Sequence, residues 1–405
     1  METIMIESPL QEAKSNRYDN TILAFLIIFL GCSAFTIAVT QIGFFTALTL
    51  WIARMVYTRK NEYPKTELDY FFFAYIIWIT VCATFSYNKP QAFLYLQRRI
   101  VVIPIIYTLL GNARSLRDLK YLFIALIVSA LGVSLWQTKD LLVHLTQYLH
   151  FEKRLGDFQV YMTAGGIMMI AGLMLLPILL HSKTPKKIRW IVALSLVPIL
   201  TNLFFTFTRS SWLGLIAGVI VIGFVRTKKL LLVLLVVVGI VIAVSSPEVK
   251  GRIFSIVDPN HPSNVTRVNM WHVGWQMFLD HPVTGIGDIG VEILWYRYSD
   301  LNWEPEGHFH NNLVMWLATL GIVGFTILVS LFVKILVMVS KIEKKLRSDW
   351  LLGSISLGTL AVLAGFHVNG LFEWNFGDAE IIMILWALVG LTLASQKVAG
   401  VLKSV

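Results

Sequence analysis

Apolar runs of about 20 residues recur along nearly the whole chain, and they settle its fold class before any motif is read. Each is long enough to cross a hydrocarbon layer about 30 Å thick. Charged residues make up only 14% of the 405, against roughly 25% in soluble domains. Mean hydropathy is +0.70. A soluble globular fold is excluded, because such a chain could not cover itself with polar surface.

The pattern predicts an all-α integral membrane protein of about 12 transmembrane helices. They fall at 21–39, 42–56, 69–86, 99–111, 120–138, 160–180, 188–207, 211–226, 229–245, 311–339, 351–372 and 379–396. Segments 42–56 and 99–111 are short enough to be tilted or half-inserted. The one long polar interval divides the chain into 1–245 (helices 1–9), 246–309 (a large outer loop with short helices) and 310–405 (helices 10–12). The first 20 residues are polar and lack the apolar core of a cleavable signal, so the first helix is expected to be retained. Cys32 and Cys82 both lie in apolar runs and suggest neither disulfide nor metal. No internal repeat is evident.

A net charge of +10 would raise nucleic acid as a partner for a soluble protein. Here the distribution gives a better reason. With the N-terminus inside, inner loops hold 22 Lys and Arg and outer loops 11, with Lys334 inside a helix completing the 34. That is the bias of cytoplasmic loops. Both termini are then cytoplasmic, the 246–309 loop lies outside, and no nucleic acid is expected.

The outer loop is broken by Pro247, Pro259, Pro262, Pro282 and Pro305. One piece reads as a helix capped by Ser263 or Asn264. Its stripe of Val268, Trp271, Trp275 and Phe278 fits a helix lying in the membrane interface, and His281-Pro282 ends it.

Polar groups at the outer helix ends are where function is expected. Thr208-Arg209-Ser210-Ser211-Trp212 joins two helices by a very short turn. An arginine and two serines at an outward-facing helix N-terminus can bind a phosphate. A lipid-anchoring arginine is the plainer reading. Arg267 flanks the tryptophan stripe and could equally contact headgroups. Gly307-His308-Phe309-His310-Asn311-Asn312-Leu313 opens the helix after the loop, with Asn311 or Asn312 as its cap. A histidine there feels the positive helix end, which favours its neutral, proton-accepting form. Alternatively it is only interfacial. His308-x-His310 also invites zinc, with His261, His272 or His281 as a third ligand, but no metal-ligand spacing supports it, and no metal is assigned. Gly285-Ile286-Gly287 marks a tight, unencumbered backbone. Glu373, Asp378 and Glu380 put acid in the last outer turn, where they could orient Arg209 or His310, bind sugar hydroxyls, or form a plain polar turn.

Taken in order, these residues resemble the O-antigen ligase and polymerase family of bacterial envelope proteins. The resemblance runs from Thr208-Arg209-Ser210-Ser211-Trp212 through Arg267 and Trp271 to His281-Pro282-Val283-Thr284-Gly285-Ile286-Gly287. It continues through His310-Asn311-Asn312-Leu313 to Leu320-Gly321-Ile322-Val323-Gly324, and covers about 200–330. It implies a membrane glycosyltransferase of the bacterial inner membrane with its site facing the periplasm. The reaction implied moves a glycan from undecaprenyl diphosphate to a lipid A-core acceptor, with inversion and without metal or other cofactor. It implies diphosphate-holding roles for Arg209 and Arg267 and a catalytic role for His310. Ser210, Ser211, Trp271, His308, Asn311 and Glu373 are the expected substrate contacts.

A polymerase of the same family, which joins two lipid-diphosphate-linked glycans, differs only in its acceptor. Transfer to a protein acceptor is a related possibility. A lipid-linked oligosaccharide transporter would instead carry charges or broken helices at mid-membrane depth. The helix interiors here are nearly charge-free apart from Lys334.

Overall fold

The computed structural model describes residues 9–156, 159–299 and 307–403. Pro305 and the side chains of Lys14, Arg17 and Lys403 lie outside the described residues. The helices are α1 (Pro9–Gly31), α2 (Ile37–Thr58), α3 (Asp69–Phe85), α4 (Lys89–Ile100), α5 (Pro104–Asn112), α6 (Leu116–Val143), α7 (Leu145–Leu149), α8 (Tyr161–Leu180) and α9 (Lys186–Phe205). They continue with α10 (Arg209–Val225), α11 (Lys229–Val244), α12 (Pro247–Phe254), α13 (Pro262–Asp280), α14 (Trp295–Tyr298), α15 (Asn312–Leu346), α16 (Leu352–Asn369) and α17 (Ala379–Lys403).

Each of the twelve apolar segments read from sequence falls on helix. Among the described residues, eight are long and apolar enough to cross a membrane: α2, α4 with α5, α6, α8, α9, α15, α16 and α17. The chain is a multi-pass membrane protein. Four further apolar helices, Tyr18–Gly31, α3, α10 and α11, are shorter, so the structure supports eight crossings by length and leaves twelve as an expectation.

Several boundaries need correction. The first two segments do not meet at 40. A turn at 32–36 ends α1 at Gly31 and starts α2 at Ile37. Cys32, Ala34 and Phe35 keep that turn apolar enough to hide it from a hydropathy reading. Arg98 and Arg99, read as loop charges, lie in α4, an amphipathic helix that ends just before Pro104. Lys334, the apparent charge inside a helix, pairs with Glu67 from the loop between α2 and α3.

The centre of the bundle is α16, packed against α8, α10, α15 and α17. It crosses α10 at very short range. A Cβ on Gly214 would lie 2.7 Å from the Gly365 carbonyl, and one on Gly218 2.9 Å from that of Ala361. Small residues at the crossing let the two backbones touch.

The helix after the loop is broken. Gly321, at φ 63° and ψ −170°, interrupts α15 inside its apolar stretch. Backbone polar groups freed in hydrocarbon must find partners. The Pro282–Gly287 segment of the loop supplies them: Ile286 N–H donates to Ala318 O (2.9 Å), Gly287 N–H to Thr319 O (3.0 Å), and Ile322 N–H to Pro282 O (2.8 Å). The Trp78 indole takes Leu320 O at 2.8 Å. Gly285 and Gly287 have positive φ, and a Cβ on Gly321 would lie 2.1 Å from Val283 O. The Gly-x-Gly of the loop is therefore a plug in α15. A second apolar core, with Met270, Val273, Met277, Ile286 and Trp295 from the loop and Met315 and Ala318 from α15, ties the loop to the bundle.

The loop helix α13 also departs from expectation. Its cap is His261, whose ring accepts from Ser263 N–H, and neither Ser263 nor Asn264 plays that part. Its buried face is Met270, Val273, Gly274 and Met277. The Val268–Trp275 stripe is the other face, at 56% and 47% exposure. Both faces are apolar, and the sequence could not say which one the bundle takes.

Candidate active site

The site is built at the loop end of the bundle, around the corner between α9 and α10. Phe204, Phe205, Phe207 and Trp212 pack into one aromatic cluster there. Phe207 takes φ 51°, a conformation costly for a bulky residue, and it is fully buried. The turn points its carbonyl outward. Two arginines hold that carbonyl: Arg154 through Nη2 (3.2 Å), and Arg252 through Nε (3.2 Å) and Nη2 (3.1 Å). Arg154 also donates to Thr206 O (2.9 Å) and stacks 3.5 Å over Tyr161.

Arg209 begins α10 and is 8% exposed, so it does not snorkel to lipid. Its guanidinium donates to Ser255 O and Oγ, to Ser263 Oγ (2.6 Å) and to Asn264 Oδ1 (2.8 Å). It thereby pins α12 and α13 over the end of the bundle. Arg267, on α13, makes no hydrogen bond among the described residues, and its buried Nε has no partner.

These four arginines line one cavity of about 230 Å³, with Thr208, Ser210, Trp271, Phe372 and Glu373 also in its wall. Every acceptor they meet is neutral, and none has a carboxylate partner among the described residues. Their charges act on one another. Burial, with Arg154 and Arg267 nearby, holds Arg252 down to about 10. Burial also lowers Arg154, and Arg209 and Arg267 add to the effect. Burial lowers His261, with Arg209 and Arg252 contributing. Cations that repel one another across one cavity are the arrangement an anion would relieve.

His310 adjoins this cavity. It has φ 48° and is 6% exposed. Its Nδ1 lies 3.1 Å from Glu373 Oε1, and its backbone N–H donates to His308 Nδ1. Asn311 caps α15 by accepting from Leu313 and Val314 N–H, and its amide donates to Leu371 O (3.0 Å). Asn312 N–H takes Gly370 O at 2.7 Å. These bonds staple the start of α15 to the 370–376 turn that carries Glu373. The Trp271 indole donates to Phe309 O (3.0 Å), which ties α13 to the same corner. Burial pushes the Glu373 carboxyl up, but the hydrogen bond and charge of His310, with His308 beyond, more than offset this and hold it below the ordinary carboxylate range.

The structure thus brings together Arg209, Arg267, Ser210, Trp271, His308, His310 and Glu373. It separates Ser211, which is fully buried and accepts from Asn369 Nδ2 at 3.0 Å, and Asn311, whose side chain serves as cap and staple. The third-ligand candidates do not converge. His272 is exposed, His281 bonds Tyr87 (3.0 Å) and His261 bonds Ser263. Instead Glu373 joins His308 and His310, with ligand atoms within 4.8 Å of one another. Asp378 and Glu380 do not orient Arg209 or His310. Asp378 accepts from Thr163 Oγ1 (2.6 Å) and from Ile381 N–H (3.1 Å) at the start of α17.

Residues 194–329 match the family model described as O-antigen ligase. Over these residues the chain is similar to that family. The match takes in Arg209, Arg252, Arg267 and His310, while Arg154 and Glu373 come from outside it. A comparison with curated proteins finds no match. Arg154 and Arg252 were missed as site residues, yet a signal existed. Both are cations of the loops read as outer, the set that holds 11 Lys and Arg against 22 in the loops read as inner.

Proposed function

We propose that this protein is an O-antigen ligase. It transfers a polysaccharide from undecaprenyl diphosphate to a lipid A-core acceptor at the periplasmic face of the bacterial inner membrane. One observation carries the reading: four arginines with no carboxylate partner among the described residues share a cavity wall with Glu373, whose carboxylate meets His310 Nδ1.

In this reading the diphosphate of the donor sits among Arg154, Arg209, Arg252 and Arg267. Arg267, which makes no hydrogen bond among the described residues, meets it most directly. The bond between the anomeric carbon and the diphosphate oxygen breaks, and the leaving charge passes to these guanidiniums and to the first amides of α10. The acceptor hydroxyl attacks from the opposite face, which inverts the anomeric centre. Its proton goes to Nε2 of His310. Glu373 accepts from Nδ1–H, fixes that tautomer and stabilises the imidazolium formed. Strain at the His310 backbone is consistent with a ring held for this task.

The test is reconstitution in vesicles with undecaprenyl-diphosphate glycan and two alternative acceptors. Transfer to lipid A-core is expected, and His310→Ala should abolish it while the protein stays folded and inserted. Product built only on a second lipid-diphosphate glycan would make the protein a polymerase. Full transfer by the His310→Ala variant would remove the base from the mechanism.

A further inference from the structure

A second, larger chamber of about 780 Å³ lies beyond the His308 and Trp374 side of the site, bounded by α2, α3, α4, α15 and α17. That volume is in the range of sites for drug-sized ligands. Its lining is graded. At the loop end stand Arg98, Arg99, Asp288 and His308; the foot is apolar, with Leu331 and Trp386. At 1.5 Å per residue, Trp386 lies about 10 Å along α17 and Leu331 roughly 28 Å along α15 from their loop-end starts. The chamber therefore descends into the depth of the bilayer. It also reaches the lipid-facing surface: Phe45 of α2 and Leu94 of α4 line it and are 37% and 47% exposed.

Its charge differs from that of the arginine cavity. Arg99 is neutralised by Asp288 (2.9 Å), donates to Phe376 O (3.2 Å) and stacks on Trp374 and Phe376. Arg98 lies at the rim over Tyr95. Among the described residues no cluster of unpaired cations stands there to hold a diphosphate. Aromatic faces and polar side chains at the top suit a sugar, and the apolar foot suits a hydrocarbon chain.

We infer that this chamber receives the acceptor as a membrane-borne glycolipid, entering sideways between α2 and α4, with its chain in the foot and its sugar at His308 and Trp374. This rests on the ligase reading above. Donor and acceptor would then approach His310 from separate cavities that meet at Glu373 and Trp374.

Full-length protein carrying a benzophenone amino acid at Leu331, in phospholipid vesicles with lipid A-core glycolipid, tests this directly. Irradiation should give an adduct with the glycolipid that excess glycolipid competes away and undecaprenyl-diphosphate glycan does not. Adducts with the undecaprenyl compound, or with phospholipid alone, overturn the inference. Narrowing the foot with Met383→Trp should raise KM for the glycolipid at least about tenfold, with KM for the donor unchanged. It should leave a chain-free core oligosaccharide unaffected as acceptor. An unchanged glycolipid KM in a folded variant also overturns it. If the benzophenone-bearing protein captured glycolipid but wild-type protein transferred nothing, the chamber would stand and the ligase reading would fall.

Discussion

Two arginine clusters sit at opposite ends of this bundle, and they are built on opposite principles. At the end away from the loop, Arg54 is fully buried and pairs with Asp19 and Glu62, with Asn112 Oδ1 at 3.0 Å. Arg114 reaches the same two carboxylates at 3.0 and 2.7 Å. Two cations meet two anions, and the cluster locks α1, α2 and the α5–α6 corner together. At the loop end, among the described residues, Arg154, Arg209 and Arg252 donate only to carbonyls, hydroxyls and an amide, and Arg267 makes no hydrogen bond. A charge that a fold uses for itself is neutralised within the fold. A charge left uncompensated near a cavity points to a ligand that brings the counter-charge.

The comparison is broken most sharply at Arg267. Arg267→Ala should reduce glycan transfer by about 10²–10³-fold, the scale of removing one donor to a developing anion. It should leave thermal stability near wild type, because no hydrogen-bond partner among the described residues is orphaned. Arg267→Lys should recover little, since a lysine cannot make the two-pronged contact with phosphate. Transfer at the wild-type rate by the alanine variant would mean that the cavity does not hold the diphosphate.

Arg54→Ala should do the reverse. Removing one member of a buried pair costs about 3 kcal/mol or more, read as a lowered midpoint in thermal unfolding of the detergent-solubilised protein. The transfer rate per folded molecule should not move. A variant that melted normally but had lost activity would erase the distinction between the two ends.

Glu373→Gln sharpens the loop end itself. Glutamine fills the same space but cannot stabilise an imidazolium at Nδ1. Transfer should fall roughly 10²-fold, at the low end of what a general base contributes, with KM for the donor little changed. A raised donor KM at constant kcat would instead place Glu373 in substrate binding.

Much of this was legible in the sequence. Apolar run length gave the helices, because hydrocarbon allows few other solutions. Arg209, Arg267 and His310 stood out because polar residues at helix ends need a reason. What stayed hidden depended on tertiary contact. Arg154 and Arg252 converge on the Phe207 carbonyl only because that residue adopts a left-handed turn. Whether α13 buried Met270 or Trp275 turned on the position of α15. The break in α15 at Gly321 is invisible to hydropathy because the loop segment plugging it is itself apolar. Glu373 became the partner of His310 through bonds spanning some sixty positions of sequence.

The smallest expected effect separates two acids of one turn. Glu373 is held below the ordinary carboxylate range by His310. Its stabilising contribution is present above that range and is lost as pH falls through its lowered pKa. Asp378, five positions on, is shifted the other way. Burial, with the Glu380 carboxylate beside it, pushes it up to about 7, against an opposing bond from Thr163. A raised pKa reverses the sign: the stability linked to Asp378 is fully present below about pH 4 and is lost as pH rises through about 7. Asp378→Asn keeps an acceptor for Ile381 N–H and removes the titration. Melting curves between pH 5 and 9 should therefore show the variant gaining on wild type as pH rises through 7 and holding a constant difference above it. Parallel curves across that range would mean that Asp378 stays ionised in the folded protein, and the two acids would then differ in position but not in charge.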